Sequence, residues 1–202
     1  VPESPADGMV KILRSSSDGN HTVAIIRAKL LSPGDGMSVG LKLRFLGVGN
    51  AAAHALGNAS AVLEDATGRP LLLIDCGPTV LPAYLDRYHR VPGAVFITHT
   101  HLDHTAGLEN LFYRLACEQP ELPPTRLYLP AAIIERLQQQ LAEDPYKLAE
   151  GGMNLWDRFQ VIPVGEQFWH AGLSFDVFAF NHHGYRAAYG VGRQPRMPKL
   201  LA

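Results

Sequence analysis

Alternation of apolar and polar residues marks where the first strand of the main domain begins. Leu41, Leu43 and Phe45 are separated by Lys42 and Arg44, which is the period of two that a half-buried strand shows. Short apolar segments bounded by turn residues predict further strands along the chain. These segments are residues 60–64, 70–75, 94–98, 126–129, 159–164 and 173–180.

Apolar residues with a period of 3.6 predict three helices between these strands. The first helix has an apolar face made of Val80, Leu81, Tyr84, Leu85 and Tyr88. The second has one made of Leu108, Leu111, Phe112, Leu115 and Ala116. The third, which Pro130 opens, has one made of Ile133, Ile134, Leu137 and Leu141. Strands interleaved with helices indicate a layered α/β architecture and exclude a helical bundle or an all-β sandwich.

The segment before residue 41 has a different character. Residues 1–8 are interpreted as a lead, and residues 9–14 and 22–31 as two β strands joined by the turn-forming Ser-Ser-Ser-Asp-Gly-Asn. We therefore expect an N-terminal lead and β extension over residues 1–40, and a main domain over residues 41–202.

Composition narrows the class of protein. The 202 residues are 47% hydrophobic and 18% charged, with a formal net charge of -1, which is typical of a globular chain without an overall basic field for nucleic acid. Only Cys76 and Cys117 are present, so a disulfide framework is excluded and a reducing, cytoplasmic location is expected. No apolar run is long enough to span a membrane, and the sequence as it stands leads us to expect no secretory signal in its first residues.

The residues with the clearest chemistry follow the predicted strand 94–98. His99, His101, Asp103 and His104 fall within six positions. In an extended chain His99 and His101 project to the same side, so that their imidazoles can converge on one cation. The turn that follows directs Asp103 and His104 elsewhere, toward a second cation close by. Imidazole and carboxylate together suit Zn²⁺ and its first-row neighbours.

This segment, Thr-His-Thr-His-Leu-Asp-His-Thr-Ala-Gly-Leu, resembles the signature of the metallo-β-lactamase superfamily. Residues 43–49 and 73–77 are similar to the opening strands of that family, and the resemblance extends from about Leu41 to Gly190. It implies a four-layer αββα sandwich with metals at one edge of its two sheets. The Phe-Leu-Gly-x-Gly opening and a late histidine before Tyr189-Gly190 look most like the tRNase Z and phosphodiesterase branch.

The resemblance also implies roles for residues outside the cluster. His182 would supply the third imidazole to the metal held by His99 and His101, with His183 as the alternative. Asp75, at the end of a strand beneath the metals, would orient a ligand histidine through a hydrogen bond. His54 is interpreted as a surface loop residue that could instead face the substrate cleft. No role is assigned to the other histidines, which are His21, His89 and His170.

A second metal in this family takes a bridging aspartate and a final histidine from beyond the third imidazole. Neither aspartate nor histidine follows His183 in this sequence. Three explanations stay open: a longer protein of which this is the first part, a partner subunit, or a one-metal or inactive relative. We expect a further chain segment or a second copy of the chain to complete the sandwich, because a half-sandwich would expose apolar sheet surface.

The function that the resemblance implies is hydrolysis by a metal-activated water. One ion would be held by His99, His101 and His182, and the other by Asp103 and His104, although Asp103 is alternatively the general base. The expected cofactor is one or two Zn²⁺ per chain, with Mn²⁺ or Fe as alternatives, and the expected substrate is RNA or a smaller phosphodiester. Two rival interpretations are an ester, thioester or lactam hydrolase on the same site, and a binding protein without turnover.

Overall fold

Two β-sheets packed face to face, with helices on the outer side of the first sheet, make up the architecture. In this computed structural model the described residues are 9–11, 25–30, 40–141, 154–182 and 186–191. They supply three layers of the predicted αββα sandwich, namely the helices, the first sheet and the second sheet. The predicted layered α/β architecture is confirmed by the order of these elements and by the two sheets that they form.

The first sheet has six strands, which are β3 Lys42–Gly47, β4 Ser60–Glu64, β5 Pro70–Ile74, β6 Ala94–Phe96, β7 Thr125–Pro130 and β8 Phe159–Val164. They are hydrogen-bonded to one another in this order. Strands β3, β4 and β5 are antiparallel, whereas β5, β6, β7 and β8 run parallel, with helices in the connections between them.

The α-helices of the described residues are α1 Val80–Tyr88, α2 Leu102–Thr105, α3 Gly107–Tyr113 and α4 Ile134–Leu141. A π-helical turn, Arg114–Glu118, extends α3, and 3-10 turns form at His54–Leu56, Ala131–Ile133 and Leu155–Arg158. Within the part of the chain that the structure describes, no helix has the length and hydrophobicity that a bilayer span needs.

The second sheet contains β1 Met9–Lys11, β2 Ile25–Leu30, β9 Gln167–His170, β10 Leu173–His182 and β11 Arg186–Val191. Its order is β1-β2-β10-β11, with β9 also paired to β10. The N-terminal β segment is thus hydrogen-bonded into this sheet, through β2 and β10. The proposed boundary at residue 40 stays a prediction, and the lead at residues 1–8 lies outside the described residues.

The two faces of the first sheet form two separate apolar clusters. Val95 and Leu127 point to the helical side, where they pack with Leu108 of α3 and its neighbours. Phe96 and Tyr128, the next residue along each strand, point to the second sheet and pack there against Phe168 and its neighbours. Because both faces are covered, the central strands read as continuous apolar runs in the sequence.

Most elements that the sequence predicts are found within two residues of their predicted ends, and the strands at 60–64 and 159–164 match in full. Strands β9 and β11 were not predicted. Strand β9 has only four residues, and the exposed Trp169 and half-buried His170 alternate weakly with buried Phe168. Its position therefore depends on pairing with β10 and not on a local pattern.

His170, to which the sequence assigned no role, joins the two sheets. Its Nε2–H donates to the carbonyl oxygen of Leu71 on β5, at 2.9 Å. Since that nitrogen carries the proton, the neutral ring accepts at Nδ1 from the hydroxyl of Tyr128 on β7, at 3.0 Å. Burial lowers the pKa of His170, the hydrogen bond to Leu71 raises it, and the nearby Arg126 lowers it. The net direction is downward, which favours the neutral ring.

We expect this neutral imidazole to make unfolding pH-dependent. Because the folded pKa is below the ordinary value of about 6.5, the stabilisation is present above that value and is lost as the pH falls through the folded pKa. Replacing His170 with glutamine, which does not titrate, should flatten the fall in unfolding free energy below about pH 6.5. Chemical denaturation at a series of pH values measures this slope. His89→Gln, at an exposed position, is the control, and equal slopes in the two variants would contradict the prediction.

Candidate metal centre

The predicted site residues, four ligands and the orienting Asp75, lie at the carboxyl ends of two neighbouring parallel strands. Asp75 directly follows β5, and Thr98 and His99 come two and three residues after the end of β6. Since β5 and β6 are parallel and adjacent, their ends reach the same edge of the first sheet. The chain then passes His101 into α2, a single helical turn that contains Asp103 and His104.

His99 and His101 form the first pair of candidate ligands. The Nε2 atom of His99 lies 3.1 Å from the Nδ1 atom of His101. Two imidazole nitrogens on one tetrahedral zinc, at the usual bond length, are roughly 3.3 Å apart. His99 is buried and His101 is half-buried, so one nitrogen comes from the interior and the other from the rim. The pair therefore fits a single cation of the zinc type.

Asp103 and His104 form the second pair. The Oδ2 atom of Asp103 lies 3.6 Å from the Nε2 atom of His104, and neither side chain is more than 14% exposed. The rings of His99 and His104 are 4.1 Å apart between centroids, so the two pairs adjoin. The structure thus brings together all four side chains of the cluster. Their role as metal ligands stays a prediction.

Asp75 lies beneath both pairs. Its Oδ2 accepts from Nδ1 of His104 at 2.7 Å, and its Oδ1 accepts from the backbone N–H of Thr98 at 2.8 Å. Ligand atoms of Asp75, His99 and His104 lie within 4.8 Å of one another, so these three also form a candidate ligand set. Because both carboxylate oxygens already accept hydrogen bonds from the protein, we interpret Asp75 as an orienting residue and not as a ligand.

The backbone of Asp75 is itself unusual. It adopts a φ of 61°, in the left-handed region that residues with a side chain rarely occupy. Such conformations persist where the surroundings over-determine them, and they cluster at functional sites. Here the hydrogen bonds to Thr98 and His104 hold the side chain, and the turn that the positive φ produces directs it under the cluster.

The pKa of His104 reflects two opposing influences. Burial, the larger single influence, lowers the pKa, whereas the charge and hydrogen bond of Asp75 and the charge of Asp103 raise it. The net direction is upward. The field at this position is therefore negative, which favours a bound cation as it favours a proton.

Two glycines allow the turn after β5 to press against α2. A Cβ atom on Gly77 would collide with the carbonyl oxygen of Asp103, and one on Gly107 would collide with the carbonyl oxygen of Gly77. The contact is fastened by Cys76, whose N–H donates to the carbonyl oxygen of His104 at 2.7 Å. The Asp-Cys-Gly and Thr-Ala-Gly segments thus fix α2 relative to the sheet.

The other predicted residues are less completely placed. His182 is the last residue of β10, opposite Arg186 on β11, but its side chain is not among those described. His183, the alternative third ligand, and His21 lie outside the described residues. His54 begins a 3-10 turn after β3, and its side chain is likewise not described. The choice between His182 and His183 stays a prediction.

Thr98 is the residue at this site that the sequence interpretation missed. Its hydroxyl contacts both Asp75 and His99. A threonine directly before a ligand histidine and at the end of a β strand reads as an ordinary strand residue. Only the position of Asp75 on the neighbouring strand reveals the contact.

The fold and the cluster together define a member of the metallo-β-lactamase superfamily, in the tRNase Z and phosphodiesterase branch. The sequence profile of the family described as Anti-Pycsar protein Apyc1 matches residues 41–196. The chain belongs to the Anti-Pycsar protein Apyc1 family.

Individual proteins from this family and from outside it are similar to the chain. The Anti-Pycsar protein Apyc1 of Paenibacillus xerothermodurans is 30% identical over 157 residues, which are 75% of this chain and 61% of that protein. The zinc phosphodiesterase ELAC protein 2 of Gorilla gorilla gorilla is 35% identical over 106 residues, 47% of this chain and 13% of that protein. The chain thus spans about six tenths of the length of its Apyc1 relative.

A solved structure shows the same fold. The metallo-β-lactamase fold protein YhfI from Bacillus subtilis superposes with a TM-score of 0.54 at 19% identity, over 75% of this chain and 57% of that protein. At 19% identity this similarity shows a shared fold and gives no information about the reaction.

Proposed function

We propose that this chain is a metal-dependent phosphodiesterase that hydrolyses a small cyclic nucleotide. The observation that carries the proposal is the convergence of His99, His101, Asp103 and His104 at one sheet edge, with nitrogens of the first pair 3.1 Å apart. The Anti-Pycsar name of the relatives supports cyclic nucleotides as the substrate class. The identity to a zinc phosphodiesterase supports zinc as the cofactor.

Each residue pair has a distinct task in this proposal. His99 and His101 would hold one cation, with His182 as the predicted third ligand, and Asp103 and His104 would hold the other. When bound, such cations supply a water nucleophile at neutral pH and polarise a phosphoryl oxygen. Alternatively, Asp103, with 14% of its side chain exposed, would accept the proton of the attacking water as a general base instead of holding a cation.

With two cations bound, the charge of the cluster would favour an anionic substrate. Asp75 and Asp103 are the carboxylates that the described residues place in the cluster, while its three imidazoles bind a cation in their neutral form. Two divalent cations would more than balance the two carboxylates. The site would then be positive overall, which stabilises the charge that develops on a phosphodiester during hydrolysis.

RNA is the second candidate substrate. The region that matches a zinc phosphodiesterase covers 47% of this chain at 35% identity, and the Phe-Leu-Gly-x-Gly opening resembles the tRNase Z branch. Residue identity alone does not distinguish a cyclic mononucleotide from an RNA backbone, because both present a phosphodiester to the same cations. The experiment below separates them.

The test measures turnover of four 3′,5′-cyclic mononucleotides, a structured RNA, a thioester and a β-lactam by zinc-loaded and manganese-loaded protein. We expect cyclic nucleotide hydrolysis that a chelator removes and added metal restores. His101→Ala should lower kcat/KM by more than about 100-fold, since even an outer-sphere partner of a metal ligand is worth 10–100-fold.

His89→Ala, at an exposed position at the end of α1, is the matched control and should leave turnover unchanged. Cleavage of RNA alone would replace the first candidate by the second. Turnover of the thioester or lactam alone would support the rival hydrolase interpretation. Metal binding without any turnover would support a non-catalytic relative and overturn the proposal.

A further inference from the structure

Thr98 connects the carboxylate of Asp75 to the imidazole of His99. Its hydroxyl oxygen lies 2.8 Å from Oδ2 of Asp75 and 2.9 Å from Nδ1 of His99. All three side chains are buried, with at most 8% of each residue exposed. Water therefore competes little for these hydrogen bonds, and their direction is set by the protein groups themselves.

The direction of these hydrogen bonds follows from the number of protons available. A carboxylate only accepts, so the single hydroxyl proton of Thr98 is donated to Asp75. The contact between Thr98 and His99 then needs its proton from the ring, which places that proton on Nδ1 of His99. The lone pair of His99 is thereby left on Nε2, the atom that faces Nδ1 of His101.

We infer that Thr98 is a positioning residue, which relays the charge of Asp75 to His99 and so presents Nε2 of that ring to the cation. The inference rests on the proposed metal site. Asp75 sets the tautomer of His104 in the same way by a direct hydrogen bond at 2.7 Å. The carboxylate of Asp75 thus orients one histidine in each pair. It acts on His104 directly and on His99 through the hydroxyl of Thr98.

Two substitutions separate the hydroxyl from the rest of the residue. Thr98→Val keeps the shape and the backbone N–H that donates to Asp75, but it removes the hydroxyl. Thr98→Ser keeps the hydroxyl and removes a methyl group. Thr125→Val is the matched control, because that buried threonine donates to a backbone carbonyl, that of Pro92, away from the cluster.

The first measurement is the zinc Kd, obtained by competition with a chromophoric chelator. We expect Thr98→Val to weaken zinc binding by about 10–100-fold, as losses of outer-sphere partners do, and Thr98→Ser to stay within about threefold of the unchanged protein. Thr125→Val should bind zinc as tightly as the unchanged protein does. Equal zinc affinity in Thr98→Val and Thr125→Val would overturn the inference.

The second measurement does not need metal. Nitrogen-15 NMR of the histidine rings in metal-free protein reports which ring nitrogen carries the proton, and His99→Gln identifies the signals of His99. We expect the Nδ1–H form in the unchanged protein and in Thr98→Ser, and a shift toward the Nε2–H form in Thr98→Val. An Nδ1–H form that persists in Thr98→Val would overturn the inference, whether or not the protein binds zinc. Failure of the unchanged protein to bind zinc would instead contradict the proposed function.

Discussion

Replacing Asp75 with asparagine is expected to weaken zinc binding by about 100-fold, the upper end of the range for an outer-sphere partner. The large effect follows from its contacts with two halves of the cluster, directly with His104 and through Thr98 with His99. An asparagine amide has one accepting oxygen and one donating nitrogen in place of two accepting oxygens. Whichever way the amide turns, one of the two hydrogen bonds fails.

The failure takes a specific chemical form. If the amide nitrogen faces His104, that ring must accept at Nδ1 and therefore carries its proton on Nε2, the nitrogen that lies 3.6 Å from Asp103. If it takes the other position, it faces the backbone N–H of Thr98, so that two N–H groups oppose each other and displace the residue whose hydroxyl contacts His99. The first arrangement blocks a lone pair that a cation needs, and the second disturbs the orientation of His99. Isothermal titration with zinc should show a weaker affinity, a lower stoichiometry, or both.

Asp65→Asn provides the matched control for this change. Asp65, in the turn between β4 and β5, accepts hydrogen bonds from Thr67 and Arg69, which lower its pKa to about 2. Like Asp75, it accepts hydrogen bonds at both carboxylate oxygens, but it lies before the amino end of β5, away from the cluster. We expect Asp65→Asn to leave zinc binding unchanged. Equal zinc affinity in the two variants would contradict the role assigned to Asp75.

The cluster could be predicted from the sequence because its geometry is local. Four side chains within six positions, directly after an apolar strand, have few conformations that keep them apart. The central strands and α1 were also predictable, since their apolar patterns are regular and both faces of the sheet are covered. Here local pattern and tertiary packing agree, which is what a foldable sequence requires.

What the sequence could not predict depends on residues distant in the chain. The contact of Thr98 with Asp75 spans 23 positions, and that of His170 with Leu71 spans 99. Neither residue has a pattern of its own that marks it, because a threonine and a histidine in strands are unremarkable locally. Strand β9 was missed for the same reason, since it forms only where β10 supplies its partner.

Replacing Phe168 with alanine is expected to lower the free energy of unfolding by about 3–5 kcal/mol, the range for a buried phenylalanine. Phe168, on β9, is 4% exposed and stacks on three aromatic rings. Its ring centroid lies 5.6 Å from that of Phe96, 4.6 Å from that of Tyr128 and 4.7 Å from that of Phe175. The first two belong to the first sheet and the third to the second, so Phe168 fills the interface between the sheets.

Two further variants make this prediction specific. Phe168→Leu keeps most of the volume and should cost about 1 kcal/mol. Trp169→Ala, at the adjacent position, removes a larger ring that is 57% exposed and should change stability by less than about 0.5 kcal/mol. Urea denaturation of the three variants measures their free energies of unfolding, and the largest loss should be that of Phe168→Ala. A loss in Trp169→Ala as large as that in Phe168→Ala would show that the stack does not carry the interface.

Phe168→Ala also connects the packing of the two sheets with the proposed metal site. Strand β9 pairs along β10, and β10 ends at His182, the predicted third ligand of the first cation, while His99 and His101 follow a strand of the other sheet. A cation shared between these residues would need the two sheets to be held at a fixed separation. We therefore expect Phe168→Ala to weaken zinc binding as well as folding, and saturating zinc to restore part of the lost stability, because a ligand that binds only the folded state stabilises it. If Phe168→Ala lost about 3 kcal/mol of unfolding free energy or more and still bound zinc as tightly as the unchanged protein, this prediction would be contradicted. All ligands of the first cation would then lie on one sheet.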